Sequence, residues 1–188
     1  MRWFRWRASV ATTKARARAE YNKKNFSRAE KYLRKLKKMS PENRWANDVL
    51  GRLLMNTGRH EEAIPLWIEN LNSSDNRCRE IPFLVTCYRV TSRFQKGLDL
   101  LTEAIQANEN YENIWEQTLQ LVGEIEDKSS IEKFVNNISD CSVDNFTFDL
   151  VELHLANLRD DSEAIAIITS RIVRSGKSDG IDTKKALE

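Results

Sequence analysis

The chain has 188 residues, of which 40% are hydrophobic and 31% are charged, with six glycines and three prolines. This composition is typical of a helix-rich globular domain, and no stretch approaches the roughly 20 consecutive apolar residues that cross a bilayer. The basic start MRWFRWRASV is not followed by the apolar region of a secretory signal peptide.

The three cysteines, Cys78, Cys87 and Cys141, have no spacing typical of a metal or redox site. They predict buried thiols in a reducing compartment, and therefore a cytoplasmic protein. The sequence contains no catalytic motif, phosphate-binding loop or zinc spacing, and its two histidines are far apart. We therefore expect a protein that is not an enzyme and that needs no cofactor or metal.

Basic residues are concentrated at the start of the chain. Residues 1–40 carry 14 Lys and Arg against two acidic side chains, a balance of +12, and the remaining residues carry 16 against 26, a balance of −10. Such asymmetry indicates an anionic partner or an acidic neighbouring surface, or simply a solvated lysine-rich helix face.

Residues 1–10 are predicted to form a separate basic and aromatic segment. The arginines and aromatic residues that alternate in it are Arg2, Trp3, Phe4, Arg5, Trp6 and Arg7. This mixture suits a membrane interface or the stacking of nucleic-acid bases, and it equally suits an apolar face that packs on the following helices. Nucleic acid is disfavoured because no recognised RNA-binding motif accompanies the charge.

A spacing of about 34 residues then recurs along the chain, and we call it the repeat period. It separates three small residues, each followed four positions later by a large apolar residue. The small residues are Ala29, Ala63 and Gly97, and the large ones are Leu33, Trp67 and Leu101. A period of this length is typical of stacked helix pairs, none of which buries its apolar face alone. We expect an all-α fold of about nine to eleven helices without a sheet, with Trp67 buried between repeats.

The second unit carries the most detailed motif. Leu50-Gly51 and Leu54 fit its first helix, Gly58 suits the end of that helix, and Ala63 with Trp67 fit the second helix. This pattern resembles the tetratricopeptide repeat (TPR), whose consensus is W-x2-L-G-x2-Y, then A-x3-F, then P. The resemblance covers residues 11–175 and implies a right-handed superhelical solenoid of about four to five helix-turn-helix repeats.

Later units match less well. The fourth keeps an aromatic residue as Trp115 but has Ile131 where a small residue is expected. The fifth is predicted one residue out of step, with its matching residues at Phe148, Leu155, Ala164 and Ile168.

Two prolines indicate where two of the helices begin, and the composition of the last residues indicates where the repeats end. Pro65 is predicted near the start of its helix, and Pro82 is expected to begin the next helix or kink it. Residues 176–188 lack apolar periodicity and are predicted to be a flexible tail or linker. The final Leu187-Glu188 resembles a cloning scar, which would make the chain the N-terminal module of a longer protein.

The TPR resemblance implies a concave groove lined by the first helix of each repeat. The predicted partner-binding residues are Lys14, Arg18, Tyr21, Trp45, Arg52, Met55, Arg79 and Arg89, and Asp48 takes a groove-facing place beside them. Arginines suit carboxylates and phosphates, and the aromatic and Met side chains suit apolar anchors. The co-chaperone carboxylate clamp is absent, because Lys14 matches it but Arg18, Val49 and Phe83 do not. We expect a scaffold or adaptor that docks an acidic or extended peptide, against the alternative of solvated arginines.

A second basic feature supports a different function. Arg28, Lys31, Lys35 and Lys38 recur at helical spacing, and the resemblance places their helix on the outside. The predicted anionic-surface set is Arg2, Trp3, Arg5, Trp6, Arg7, Arg28, Lys31, Lys35 and Lys38. Through it the chain would associate peripherally with an anionic membrane. A third hypothesis is an accessory domain of a larger enzyme, for example a bacterial envelope-polysaccharide enzyme.

Overall fold

The computed structural model describes residues 2–73, 77–107, 114–139, 141 and 145–175. Within these ranges all regular structure is helical, with ten α-helices and one short 3-10 helix, Arg77–Arg79. The α-helices are α1 (Arg2–Asn22), α2 (Phe26–Met39), α3 (Arg44–Asn56), α4 (His60–Asn72), α5 (Ile81–Val90), α6 (Phe94–Gln106), α7 (Ile114–Val122), α8 (Lys128–Ile138), α9 (Asn145–Arg159) and α10 (Ser162–Arg174). The predicted all-α fold is confirmed for these residues, and the handedness of a superhelix stays a prediction. Among the described helices, none combines the length and apolarity needed to span a bilayer.

The chain forms two compact units, Met1–Thr91 and Ser92–Glu188. The first contains α1 to α5 and the second contains α6 to α10. Helix α1 begins at Arg2, so the helix runs through the boundary predicted at residue 10. The tail predicted at residues 176–188 lies outside the described residues.

The turns between paired helices recur with the repeat period. Backbone φ is positive at Lys24, Gly58, Ser92 and Asp160, which are separated by one, one and two repeat periods. At Gly58 the amide of Arg59 donates to the Leu54 carbonyl at 2.8 Å, and the Gly58 amide donates to the Met55 carbonyl at 3.0 Å. These are the two bonds of a Schellman motif, in which the residue after the helix adopts the left-handed conformation that glycine favours.

The second helices of the repeats keep the same period through the whole chain. They begin at Phe26, His60, Phe94, Lys128 and Ser162, each one repeat period after the last. Helix α10 therefore starts in step with the others, whereas its buried large residue is Ile168, which the offset pattern predicted and which lies one residue before the in-step Thr169. Asp161 fixes the start of α10 because its carboxylate accepts a hydrogen bond from the Ala164 amide at 3.0 Å, as an N-cap residue does. Ile165 thus takes the place equivalent to Ala63, which the sequence pattern gave to Ala164.

The core of the first compact unit, Met1–Thr91, is built on the predicted small residues and on Trp67. Ala29, Ala63, Leu33 and Trp67 are all fully buried. A Cβ atom on Gly51 would lie 2.7 Å from Cε2 of Trp67, so the indole rests directly on the backbone of α3. The predicted burial of Trp67 is confirmed, and its contact with Gly51 shows that α3 and α4 approach closely at this glycine.

The second compact unit, Ser92–Glu188, has its own core. Leu121 and Ile131 are fully buried and Phe134 is 2% exposed. Helices α9 and α10 share a further cluster that includes Ala156 and Ile172. Ile131 therefore occupies the position where the repeat pattern predicts a small residue, and it is buried in the core.

The prolines and cysteines adjust the sequence predictions in detail. Pro82 is the second residue of α5, so the helix starts at Ile81, one residue before the predicted start. Pro65 is the sixth residue of α4, within the second turn rather than at the helix start. Burial raises the pKa of the Cys87 thiol to about 12, and the nearby charge of Glu61 adds to the rise. Cys78 and Cys141 are only partly buried, so the prediction of buried thiols holds for Cys87 alone.

Candidate functional site

One end of the predicted binding surface is an aromatic stack capped by an arginine. The rings of Trp67 on α4 and Phe83 on α5 are stacked, with centroids 4.4 Å apart and an interplanar angle of 13°. The guanidinium carbon of Arg52, on α3, lies 4.5 Å from the Phe83 ring centroid. Phe83 therefore connects the buried core to a partly exposed cation. Such contacts orient a guanidinium while leaving N–H groups free for another acceptor.

A single carboxylate connects two of the predicted arginines. Oδ1 of Asp48 accepts a hydrogen bond from Nε of Arg52 at 3.1 Å, and Oδ2 accepts one from Nη2 of Arg79 at 3.1 Å. The Asp48 side chain is only 16% exposed, whereas that of Arg79 is 60% exposed. The structure thus brings Arg52 and Arg79 to one point between α3 and the 3-10 helix.

The first helix contributes a second cation–aromatic contact. Nζ of Lys14, on α1, lies 5.0 Å from the ring centroid of Trp45 at the start of α3. Trp45 and Asp48 are three residues apart on α3 and so project from the same side of that helix. The Lys14–Trp45 pair and the group around Asp48 share α3 but do not contact each other in these bonds. Without the buried Trp67, we call these six residues the arginine–aromatic surface: Lys14, Trp45, Asp48, Arg52, Arg79 and Phe83.

The other predicted partner-binding residues lie on the same three helices. Arg18 is exposed on α1, one turn beyond Lys14. Tyr21 is half-buried on α1 and makes an edge-to-face contact with Phe26 across 5.9 Å. Met55 on α3 and Arg89 on α5 are half-buried. These four residues extend the surface along its helices without belonging to the contacts that define it.

Comparison with known proteins identifies the fold. No protein-family model matches the sequence, and no curated protein matches it. Among solved structures, the chain is similar to YrrB, described as a TPR protein with an unusual peptide-binding site, with a TM-score of 0.58 and 12% identity over 84% of this chain and 81% of that one. The chain has the tetratricopeptide-repeat fold.

Two further structures agree with this assignment. The TPR-like repeats of a Podospora anserina kinesin light chain give a TM-score of 0.55 at 10% identity, over 93% of this chain and 97% of that one. PilF of Pseudomonas aeruginosa gives 0.52 at 16% identity, over 88% and 75%. At these identities the likeness establishes the TPR fold alone. The resemblance that the regular spacing of small residues indicated is thereby confirmed.

The four basic residues predicted to lie on the outside of the first repeat are exposed on α2. Arg28, Lys31, Lys35 and Lys38 are all exposed on α2, while the opposite side of the helix is buried through Leu33 and its neighbours. At the start of α1, Arg7 is exposed and Trp6 is 44% exposed. The side chains of Arg2, Trp3, Phe4 and Arg5 lie outside the described residues.

Elsewhere on the first compact unit, arginines and glutamates on α2 and at the start of α4 pair with one another, so that their charges are balanced. Arg34 donates to Glu30 at 2.7 Å and to Glu62 at 2.8 Å, and Arg59 donates to Glu62 at 2.7 Å and to Glu30 at 2.9 Å. Hydrogen bonds from Arg59 and then Arg34 lower the pKa of Glu62 to about 2. This network joins α2 to α4 with balanced charge, so it offers less to an acidic partner than the arginine–aromatic surface does.

A cleft of about 690 Å³ lies beside that network, between α2, α3 and α4. Its apolar floor includes Leu50, Leu54 and Leu66, each at most 6% exposed. Two ion pairs, Arg34 with Glu62 and Lys37 with Glu69, lie among its lining residues. The exposed prolines Pro41 and Pro65 also line the cleft, so it offers an apolar surface bordered by charged side chains. No group of His, Cys, Asp and Glu suited to a metal ion occurs among the described residues.

Sequence reasoning missed the two residues that organise the surface. The TPR resemblance gives Asp48 a place in the groove but no binding role, although its spacing of four residues from Arg52 is the spacing of a helical ion pair. In the sequence, Phe83 is only a departure from the chaperone clamp. Its stacking on Trp67 depends on the separation of two helices, for which a single sequence carries no signal.

Proposed function

We propose that this protein is a TPR scaffold that docks an acidic protein segment on the arginine–aromatic surface. The observation that carries the proposal is the convergence of Arg52 and Arg79 on Asp48, with Arg52 over the partly buried ring of Phe83. Two guanidinium groups held next to an aromatic ring form a pre-ordered site for a carboxylate that is followed by an apolar side chain.

Three features support a peptide as the ligand. The surface draws on α1, α3 and α5, the first helices of successive repeats, so an extended segment could contact several helices in turn. Lys14 and Arg18 extend its positive charge along α1 toward Tyr21. YrrB, which shares the fold, is described as having an unusual peptide-binding site. Binding of a segment by a TPR scaffold requires no catalytic group, in keeping with the absence of a catalytic motif in the sequence.

Charge reversal of two surface arginines should weaken this binding. We expect the Arg18→Glu, Arg52→Glu double variant to bind an acidic peptide roughly tenfold to hundredfold more weakly, because charge-assisted hydrogen bonds become repulsive contacts. The measurement is fluorescence anisotropy with a labelled peptide in which Asp and Glu alternate with Leu and Phe. A second peptide with Asn and Gln in place of the acids should bind weakly to both proteins.

The matched control is Arg28→Glu with Lys35→Glu, which changes the net charge equally on the exposed side of α2. Circular dichroism of both double variants should show unchanged helix content. Equal affinity for the wild type and the Arg18, Arg52 variant would reject the surface as the binding site. An equal loss in both double variants would mean that the peptide responds to net charge alone.

A second candidate function rests on a different observation, the exposure of Arg28, Lys31, Lys35 and Lys38 along α2 together with that of Trp6. Lysines and arginines near an anionic bilayer contribute about 1 kcal/mol each, and an aromatic side chain can enter the interface. We infer from this a reversible attachment to anionic membranes as the alternative to peptide docking.

Tryptophan fluorescence tests the membrane alternative. Vesicles that contain phosphatidylserine should shift the emission to the blue at low salt, and neutral phosphatidylcholine vesicles should not. The shift should diminish with added salt, since exposed charges are screened within about 10 Å at 0.1 M salt. It should also disappear in a chain shortened to begin at Ala8. An unchanged spectrum with anionic vesicles at low salt would contradict attachment and leave the N-terminal aromatics as part of the helical packing.

A further inference from the structure

Asp48 is the one acidic member of the arginine–aromatic surface, and both of its oxygens are engaged. It bonds Nε of Arg52 through Oδ1 and Nη2 of Arg79 through Oδ2. The local charge of this trio is therefore +1, whereas the two arginines alone would give +2. An acidic ligand that approaches Arg52 and Arg79 finds one N–H group of each arginine already bonded to Asp48, and it meets a carboxylate of its own sign.

The position of Asp48 indicates that this arrangement does not depend on a ligand. Asp48 and Arg52 are four residues apart on α3, so their pairing needs only the helix. Arg79 reaches the same carboxylate from the 3-10 helix and remains 60% exposed. Two guanidinium groups from different elements thus surround one anion, as they would surround the carboxylate of a bound segment.

We propose that Asp48 is a built-in competitor that lowers the affinity of the surface for acidic segments and so keeps their binding reversible. This inference rests on the proposed peptide-docking function and adds a specificity-determining residue to it. The competing explanation is that Asp48 positions Arg52 over Phe83 and thereby strengthens binding. The two explanations predict opposite effects when the charge of Asp48 is removed and its shape is kept.

The test is Asp48→Asn, measured with the same acidic peptide by fluorescence anisotropy. The amide keeps the size of the side chain and one acceptor oxygen, so an arginine can still be held while the negative charge is gone. We expect binding about threefold to tenfold tighter at low ionic strength, with a steeper loss as salt is added, because one opposing charge has been removed within a few ångströms of the ligand.

Glu62→Gln is the matched control. Glu62 also bridges two arginines, Arg34 and Arg59, and its substitution removes the same single charge away from the proposed surface. We expect this variant to bind the peptide within about twofold of the wild type, because the added charge lies outside the site and is screened. The unchanged helix content of both variants can be verified by circular dichroism.

The outcomes separate the inference from the function on which it rests. If the Arg18, Arg52 reversal weakens binding but Asp48→Asn leaves it unchanged or weaker, docking stands and the competitor role of Asp48 is rejected. Equal tightening by Asp48→Asn and Glu62→Gln would also reject it, in favour of net charge. If neither the wild type nor Asp48→Asn binds the acidic peptide, both the docking function and the competitor role are overturned.

Discussion

Trp67→Ala should lower the free energy of unfolding by about 3–5 kcal/mol, as truncation of a fully buried large aromatic residue does. Trp67 is 0% exposed and stacks on Phe83, and it lies against the backbone at Gly51. Its indole Nε1 has no hydrogen-bond partner among the described residues, so the loss comes from packing and the cavity that remains. Urea denaturation followed by circular dichroism measures the change.

Two further substitutions test whether the loss of stability in Trp67→Ala comes from the cavity left by the buried ring. Trp67→Leu should cost less than Trp67→Ala, because Leu33 and Leu101 fill the equivalent position in the neighbouring repeats and leucine leaves a smaller cavity. Ile68→Ala, at a side chain that is 37% exposed on the same helix, should cost less than about 1 kcal/mol. A loss below about 1 kcal/mol for Trp67→Ala would mean that the indole does not support the core.

The sequence predicts the repeat architecture because the spacing of small residues records where paired helices approach. Ala29 and Ala63 are fully buried at the predicted places, and the described second helices all begin one repeat period apart. The register of the fifth repeat could not be predicted in the same way. Ala164 and Ile165 both pack against the core cluster of α9 and α10, and the hydrogen bond from the Ala164 amide to Asp161 sets only where the helix begins.

The turns explain why the period is less visible in sequence than in structure. Gly58 is the one glycine among the described residues with positive φ, and Lys24, Ser92 and Asp160 adopt the same conformation. Non-glycine residues enter this region only at some energetic cost, which the surrounding helix pair offsets. A search for glycine at helix ends therefore finds one of the four turns.

The candidate site, too, is predictable from the sequence within one helix but not between helices. Helical spacing correctly places Trp45, Asp48 and Arg52 on one side of α3, because that relation is fixed by the geometry of a single helix. The contact of Lys14 with Trp45 and the reach of Arg79 to Asp48 cross between elements. Such contacts depend on side-chain rotamers and helix separation, and they decide whether an arginine is free or held.

Gly51→Ala should be destabilising by about 1–3 kcal/mol, although alanine is the better helix former by about 1 kcal/mol. A Cβ at this position would lie 2.7 Å from Cε2 and 2.8 Å from Cζ2 of Trp67. The indole cannot move away easily, because it is fully buried and stacked on Phe83. Gly97→Ala is the comparison: its Cβ would meet Cδ2 of Leu121 at 2.8 Å and Cδ1 at 3.3 Å. Leu121 is also fully buried, but these are the terminal methyl groups of a flexible side chain, whereas the contact at Gly51 is with a rigid ring.

We therefore expect Gly97→Ala to cost less than Gly51→Ala, with chemical denaturation as the measurement for both variants. A double-mutant cycle identifies the cause of the Gly51 effect. In a Trp67→Leu background the rigid ring is gone, so Gly51→Ala should become neutral or stabilising as the helix propensity of alanine is recovered. If Gly51→Ala costs the same with tryptophan and with leucine at position 67, the clash with the indole is not its cause, and the close approach of α3 to α4 must be enforced by other contacts.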